Sequence, residues 1–339
     1  MAINTLTDEQ REKLRMIGEE ARARLNLPAR AVLEPDQPPA LKVRLTKQLE
    51  KFVDAALAIR ETDALEVGAV KFTSPIFVLA TLPHSEQLNK DGTKKLGFVR
   101  TNGDYSLEII AGKEGLPYGV YPRLIFVYLI SEAVKTANRE VFLGHTFSDF
   151  LRMIGVDPRD ARARKRVNDQ LIRITKCRIT CTGYKTGKKH DITNVTSIQN
   201  VQPIKNAYFW WSVQDKTDQP VLYNSSVVFT EEFFREIVDS PIPLDIRALQ
   251  VLKGSAMAID IYSWLTYSMY SLNKTIIISW KKLHEQFGSD YKRIRDFKKS
   301  FIEQLELVKT VYDKVKAEIK NDGICLNPSP THIKRLQKN

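Results

Sequence analysis

Residues 159–205 constrain the fold of this chain most strongly, because they place most of its positive charge on a predicted helix and hairpin. They hold twelve Lys and Arg residues against three Asp residues, a balance of +9 within a net charge of +12. Pro158 is tolerated in a first helical turn, and Asp157 before it can cap the free amides. The apolar residues that recur at helical spacing are Ala163, Val167, Leu171 and Ile174. One face of this helix is therefore expected to be buried and the other to meet a polyanion.

A β-hairpin is predicted directly after the basic helix. Residues 177–184 alternate like a half-buried strand, 185–190 form a basic loop, and 192–198 return as a second strand. Helix, strand, basic turn and strand is the order of elements in a winged helix, whose helix enters a DNA groove while the wing contacts a phosphate. The alternative interpretation is a solvated amphipathic helix, because a charged face usually meets only water.

Before the basic helix, residues 121–137 are expected to form an apolar helix, 141–143 a short strand and 146–154 a short helix. The same order of elements occurs a second time further along the chain. An apolar helix at 255–269 is followed by a strand at 275–279, a short helix at 280–287, a charged helix at 290–308 and a hairpin turning at 321–323. The apolar stripe predicted for the charged helix comprises Ile294, Phe297, Phe301, Leu305 and Val308. Repetition of an element order without close sequence identity indicates two domains of one architecture.

The predicted fold class is α+β, with two tandem winged-helix domains preceded by an N-terminal helical and β-hairpin region. A length of 339 residues fits two or three domains. The predicted limits are 1–40 for an N-terminal helix and Pro-rich linker, 41–116 for a helix plus β-hairpin region, 117–213 for the first winged-helix domain and 214–339 for the second.

The region 41–116 carries two further predictions. Residues 66–82, rich in Val, Ile, Phe and Thr, are expected to form a strand, and 98–110 a hairpin that turns at Asn102-Gly103. This hairpin and the helices before it either pair two subunits into a homodimer or only cap the first domain. The sequence favours neither interpretation.

The sequence predicts a binding protein rather than an enzyme, with no catalytic residue, no metal site and no cofactor. Between Gly183 and Gly187 there are three residues where a phosphate-binding P-loop needs four, and Lys189 occupies the position of its magnesium ligand. Cys177 and Cys181 have no partner pair at zinc spacing, so we expect buried thiols in a reducing, cytoplasmic location. No apolar run is long enough to span a membrane, and a membrane partner is not expected.

The predicted DNA contacts lie on the two charged helices and the basic loop. In the first domain they are Arg159, Arg162, Lys165, Arg166, Arg173, Lys176, Lys185, Lys188 and Lys189. In the second domain they are Lys292, Arg293, Arg295 and Lys299. Arginines of the first helix are expected to make bidentate contacts to guanine, and the lysines to contact phosphates. Lys299 could instead pair with Glu303 on the helix surface.

Several strings resemble the plasmid-encoded RepA family of replication initiators. They are GLPYGVYPRL at 115–124, FSDFLR at 147–152, PIPLD at 241–245, AIDIYSWLTY at 258–267, SWKKL at 279–283 and QFG at 286–288. They run in the family's order over about two thirds of the chain. The resemblance implies binding to double-stranded DNA at a plasmid origin with repeated sites, opening of the nearby duplex, and recruitment of host replication proteins.

Two other functions remain open at the level of sequence. The same domains would serve a winged-helix transcriptional repressor that binds its operator without opening it. A nicking or joining enzyme is the third hypothesis, although the five histidines are scattered and no cluster of carboxylates suits two-metal chemistry.

Overall fold

The computed structural model describes residues 47–103, 105–185, 195–199, 202–209, 225–288 and 291–334. The predicted N-terminal helix and Pro-rich linker at 1–40 lie outside these residues. The described part is a mixed α+β structure with several small sheets.

Helices and strands alternate through the described residues. The helices are α1 (Lys47–Glu61), α2 (Pro75–Leu79), α3 (Val120–Thr136), α4 (Phe147–Met153), α5 (Ala161–Lys176), α6 (Glu231–Asp239), α7 (Ile246–Leu252), α8 (Ala256–Ser271), α9 (Trp280–Phe287) and α10 (Ile294–Val311). The strands are β1 (Val70–Thr73), β2 (Gly97–Asn102), β3 (Tyr105–Ile110), β4 (Glu140–Phe142), β5 (Arg178–Lys185), β6 (Val195–Gln199), β7 (Ile204–Tyr208), β8 (Ser226–Phe229), β9 (Ile242–Asp245), β10 (Ile276–Ser279), β11 (Lys316–Ile319) and β12 (Gly323–Asn327).

Two three-stranded antiparallel sheets share one pattern of pairing. In the first, β8 lies between β4 and β7, with Val141 opposite Val227. In the second, β12 lies between β10 and β11, with Ile277 opposite Cys325. In each sheet, the strand that follows a long apolar helix pairs with the last strand of the sheet. These pairs are β4 with β8, after the helix α3, and β10 with β12, after the helix α8. The two halves of the chain therefore repeat a sheet topology as well as an element order.

The strands predicted as the first wing are present, but they belong to a different sheet. β5 and β6 pair with each other and, through β5, with the hairpin β2–β3, giving the order β2-β3-β5-β6. The strand β4 pairs instead with β8, about 85 residues further along the chain. The predicted limit at residue 116 consequently separates strands that share one sheet. Periodicity indicates that a strand exists but carries no information on its distant partner.

The predicted strand at 66–82 is wrong over most of its length. Only β1 is extended, and it pairs with β9. The helix α2 begins immediately afterwards, because the Ser74 hydroxyl accepts from the Ile76 amide and Pro75 occupies a first-turn position. Three apolar side chains of the segment, Ile76, Phe77 and Val78, are buried on this short helix and not on a strand.

A buried ionic cluster joins the two halves of the chain. Arg123 on α3 donates from Nε and Nη2 to the Asp260 carboxylate on α8, at 2.7 and 2.6 Å. His84 Nε2 lies 2.8 Å from the same carboxylate. Burial raises the pKa of Asp260, but the Arg123 charge and the His84 contact outweigh it and leave that pKa below the usual value. We call these three residues the buried clamp.

The C-terminal described segment packs on the second apolar helix. His332 Nδ1 lies 2.7 Å from the Tyr262 hydroxyl, which also accepts from the Asp245 amide at 2.9 Å. Burial lowers the pKa of His332, and Ile333 beside it is buried.

The three cysteines are free thiols and all are buried, which confirms the prediction for Cys177 and Cys181. Burial raises the pKa of Cys177 to about 12 and that of Cys181 to about 11. Within the described ranges, no helix combines the length and apolar character needed to cross a bilayer.

Candidate nucleic-acid interface

The predicted basic helix is confirmed as α5, which begins three residues later than its sequence signals indicate. Its cap is Asp160, whose carboxylate accepts from the Arg162 and Ala163 amides at 2.9 and 3.0 Å. Asp157 instead accepts from the Arg159 amide in the preceding turn. The apolar stripe is buried as predicted, with Val167, Leu171 and Ile174 at 0% exposure.

Three cations form the open part of the opposite face: Arg162, Lys165 and Arg166. They are spaced three and four residues apart, so their side chains are neighbours on one side of the helix. The structure gives none of these three side chains an ion-pair or hydrogen-bond partner among the described residues. Their charges are therefore available to an external anion without first breaking an internal contact. We call these three residues the α5 basic face.

Two other predicted contacts are exposed but engaged with acidic side chains. Arg159 Nη2 lies 2.9 Å from Asp157 Oδ2, and the hydrogen bonds from this arginine lower the pKa of Asp157 to about 2. Lys176 pairs with Glu114. Exposed pairs of this kind contribute little to stability because water screens them, so a phosphate can replace the carboxylate at little cost.

Arg173 does not lie on the exposed face, contrary to the prediction. Its side chain is 4% exposed, and it donates to the Glu86 carboxylate and the Leu116 carbonyl at 2.9 and 3.0 Å. Its Nε lies 2.9 Å from Asp169, and its guanidinium stacks over the Tyr118 ring at 5.1 Å. On the helix this position borders the apolar stripe, where the loop carrying Glu86 covers it. Arg173 fixes α5 to the rest of the unit, and its burial keeps the guanidinium from reaching a base in this arrangement.

Sequence reasoning missed Arg164, a half-buried cation on the same helix. Its Nη1 donates to the Ser148 hydroxyl at 2.8 Å, and its guanidinium lies 5.1 Å from the centre of the Phe147 ring. Both partners belong to α4, so Arg164 ties the two consecutive helices together. The signal was the unusually dense run of cations at 162–166, of which one must face the neighbouring helix at a helical period of 3.6 residues.

The basic loop after α5 is described only at its edge. Lys185 is the last residue of β5, and its backbone pairs with Val195. Lys188 and Lys189 lie outside the described residues.

The second predicted set lies at the start of α10, where all four cations are exposed: Lys292, Arg293, Arg295 and Lys299. Arg295 Nε lies 3.4 Å from Asp296, and the Arg295 side chain is 82% exposed. Below them, Phe297 and Phe301 are fully buried. Ile294 departs from its predicted place in the apolar stripe, because it remains 49% exposed. The stripe begins at Phe297, whose ring already packs against His284 and Tyr291.

A cleft of about 630 Å³ runs beside the N-terminal half of α5. Its walls include Tyr118, Tyr121, Asp160, Arg166 and Lys253. Lys253 donates to the Gly155 carbonyl at 3.2 Å, so the cleft closes where the two halves of the chain meet. Because its lining includes carboxylates as well as cations, the cleft does not select for one sign of charge.

The family model described as plasmid encoded RepA protein matches residues 116–282. This region belongs to the plasmid-encoded RepA family. The RepA region begins just before α3, includes the whole of α5 and the buried clamp residues Arg123 and Asp260, and ends within α9.

Two solved structures are also similar to the chain. A crystal structure of a selenomethionine form of domains 2 and 3 of RctB is 14% identical, with a TM-score of 0.46 over 75% of this chain and 96% of that one. A second crystal structure of RctB domains 2–3 is 13% identical, with a TM-score of 0.43 over 74% of this chain and 94% of that one. No curated protein matches the chain.

Proposed function

We propose that this protein is a plasmid replication initiator that binds origin DNA sequence-specifically through two winged-helix domains. The α5 basic face carries the proposal. It presents three exposed cations, whose side chains have no partner among the residues that the structure describes, on a helix whose apolar stripe is buried, within a region that belongs to the RepA family. A helix anchored in this way can enter a major groove without losing its own packing.

The winged-helix assignment draws on the repeated sheet topology. In each half a long apolar helix, a short strand and two further helices lead to a pair of strands, and the last strand pairs with the first. On this basis the wing of the second domain is β11–β12. The strands β7 and β8 take the equivalent position in the first domain, while β5–β6 form an additional hairpin next to α5.

The proposed DNA contacts divide by the chemistry of the side chain, with arginines on bases and lysines on phosphates. Arg162 and Arg166 are assigned to bidentate hydrogen bonds with guanine, each worth about 1–3 kcal/mol of discrimination. Lys165, Lys185, Lys188 and Lys189 are assigned to phosphates, which fix the register of the protein on the duplex. In the second domain the cations at the start of α10 take the parallel part.

Selection of bound sequences from a random DNA pool tests this function. A preference for directly repeated sites supports an initiator that assembles on an origin. Binding should also weaken steeply with salt, with a slope of about −0.9 in log–log form for each phosphate neutralised. Recovery of no preferred sequence at moderate salt would contradict the proposal.

We further propose that the bound protein opens an adjacent AT-rich duplex and recruits host replication proteins, as the family resemblance implies. Permanganate footprinting beside the selected site separates this activity from that of a repressor. Reactive thymines support opening, whereas specific binding with no reactive thymine favours the repressor.

A role without catalysis is part of the same proposal. Incubation of supercoiled plasmid with the protein and Mg²⁺, followed by electrophoresis, should leave the plasmid intact. Accumulation of nicked circles would instead favour a nicking enzyme.

A further inference from the structure

The start of α10 carries an apolar side chain that the fold of the free protein does not use. Ile294 is the first residue of the helix and is 49% exposed, although its spacing from Phe297 would place it on the buried stripe. The residues on either side, Arg293 and Arg295, are exposed cations. Isoleucine is also a weaker helix former than Lys or Arg, so helix stability gives no reason for it at this solvent-exposed position.

We infer that Ile294 reads a thymine in the major groove by contact with its 5-methyl group. This inference rests on the proposed function, since it requires α10 to be a recognition helix. Residues at the N-terminal end of a recognition helix are those that reach base edges. Ile294 has that position in α10, and the cations beside it bring the helix to the phosphates.

The chemistry of the side chain limits what it can recognise. An isoleucine offers neither a donor nor an acceptor, so it distinguishes bases only by apolar contact. The one apolar group among the base edges in the major groove of unmodified DNA is the thymine 5-methyl. Burial of that methyl against Ile294 removes apolar surface of both partners from water, and one buried methyl is worth about fourfold in affinity.

Deoxyuridine substitution tests the contact, because deoxyuridine differs from thymidine only by loss of the methyl group. Each thymine of the selected site is replaced in turn, and the affinity of the full-length protein is measured at fixed salt. We expect about a fourfold loss at one or two positions for the natural protein. The Ile294→Ala variant should bind the thymine and deoxyuridine forms of those positions equally well.

A matched control separates this contact from a general effect of apolar surface. Ile277 on β10 is 64% exposed in the same half of the chain, and Ile277→Ala should retain the thymine preference. Equal sensitivity to deoxyuridine in Ile294→Ala and the natural protein would overturn the inference while leaving the proposed function intact. Specific binding without any deoxyuridine-sensitive position would also overturn the inference alone. Loss of specific binding by the natural protein would overturn both.

Discussion

Replacement of Arg123 by methionine should destabilise the protein more than replacement of any exposed charged residue does. Arg123 is 6% exposed and makes two hydrogen bonds to Asp260, itself 5% exposed. It also donates to the carbonyl groups of Leu82, Pro83 and Gly119 at 2.7, 3.3 and 2.6 Å. Methionine retains the unbranched stem and the helix propensity of arginine but supplies no donor.

The expected loss follows from the charge that remains. Without Arg123, the Asp260 carboxylate is buried with His84 as its polar partner, and removal of one member of a buried pair costs about 3–5 kcal/mol. Arg152→Met is the matched control, because Arg152 is 61% exposed and pairs with Asp149 three residues away. A surface pair of this kind contributes about 0–1 kcal/mol.

Urea unfolding of the full chain measures the effect, with the first transition compared because the two halves of a chain of this length need not unfold together. Combining Arg123→Met with Asp260→Leu should recover part of the loss, since no buried carboxylate remains. A loss of unfolding free energy below about 1 kcal/mol in Arg123→Met would contradict a buried ion pair between Arg123 and Asp260, because removing one partner of such a pair costs several times more.

Three further outcomes follow from individual contacts. Burial lowers the pKa of His332 in the folded state below its value in the unfolded state. The stability that the neutral His332 contributes is therefore complete above the unfolded pKa of about 6.5 and is lost as the pH falls below that value. The variant His332→Gln should show a smaller fall in unfolding free energy between pH 7 and about pH 5. The thiols of Cys177 and Cys181, with pKa raised by burial, should resist a thiol reagent at neutral pH until urea is added, and rapid labelling of the native protein would contradict this. Gly155 has a φ of +74°, and in Gly155→Ala the new Cβ would lie 1.8 Å from Gln250 Nε2, so the variant should unfold at a lower temperature. Adding Gln250→Ala should restore only the part of that lost thermal stability that comes from the clash.

Local signals in the sequence predicted individual elements well. The helix α5 was evident because its apolar residues recur every three or four positions, although Asp157 was expected as its cap and Asp160 is the cap observed. The helix α4 was equally clear, and the structure adds a capping box between Thr146 and Asp149. The hairpin β2–β3 is present as expected, but Asn102 still pairs with Tyr105, and the positive φ of the turn falls on Gly103 at +60°. These features depend on neighbours a few residues apart.

Contacts between distant residues were not predictable in the same way. Arg173 looked exposed because the partner that buries it, Glu86, lies 87 residues away in a loop. Ile294 looked buried because its spacing fits the stripe, although Phe297 already completes the core at that end. The buried clamp left a usable signal that the sequence analysis did not exploit. Arg123 and Asp260 are opposite charges placed within two strongly apolar helices, and buried charges require partners.

The central claim is that the α5 basic face reads DNA. The most direct measurement is the mobility shift of a selected DNA site, at fixed salt, with the variant Arg162→Ala, Lys165→Ala, Arg166→Ala. A control variant removes three exposed charges elsewhere, at Lys90, Lys95 and Arg235.

We expect the first variant to lose specific binding, because each arginine contact to guanine is worth about 1–3 kcal/mol. The control should bind the site nearly as well as the natural protein. Equal affinity of both variants for the site would contradict DNA reading by the α5 basic face.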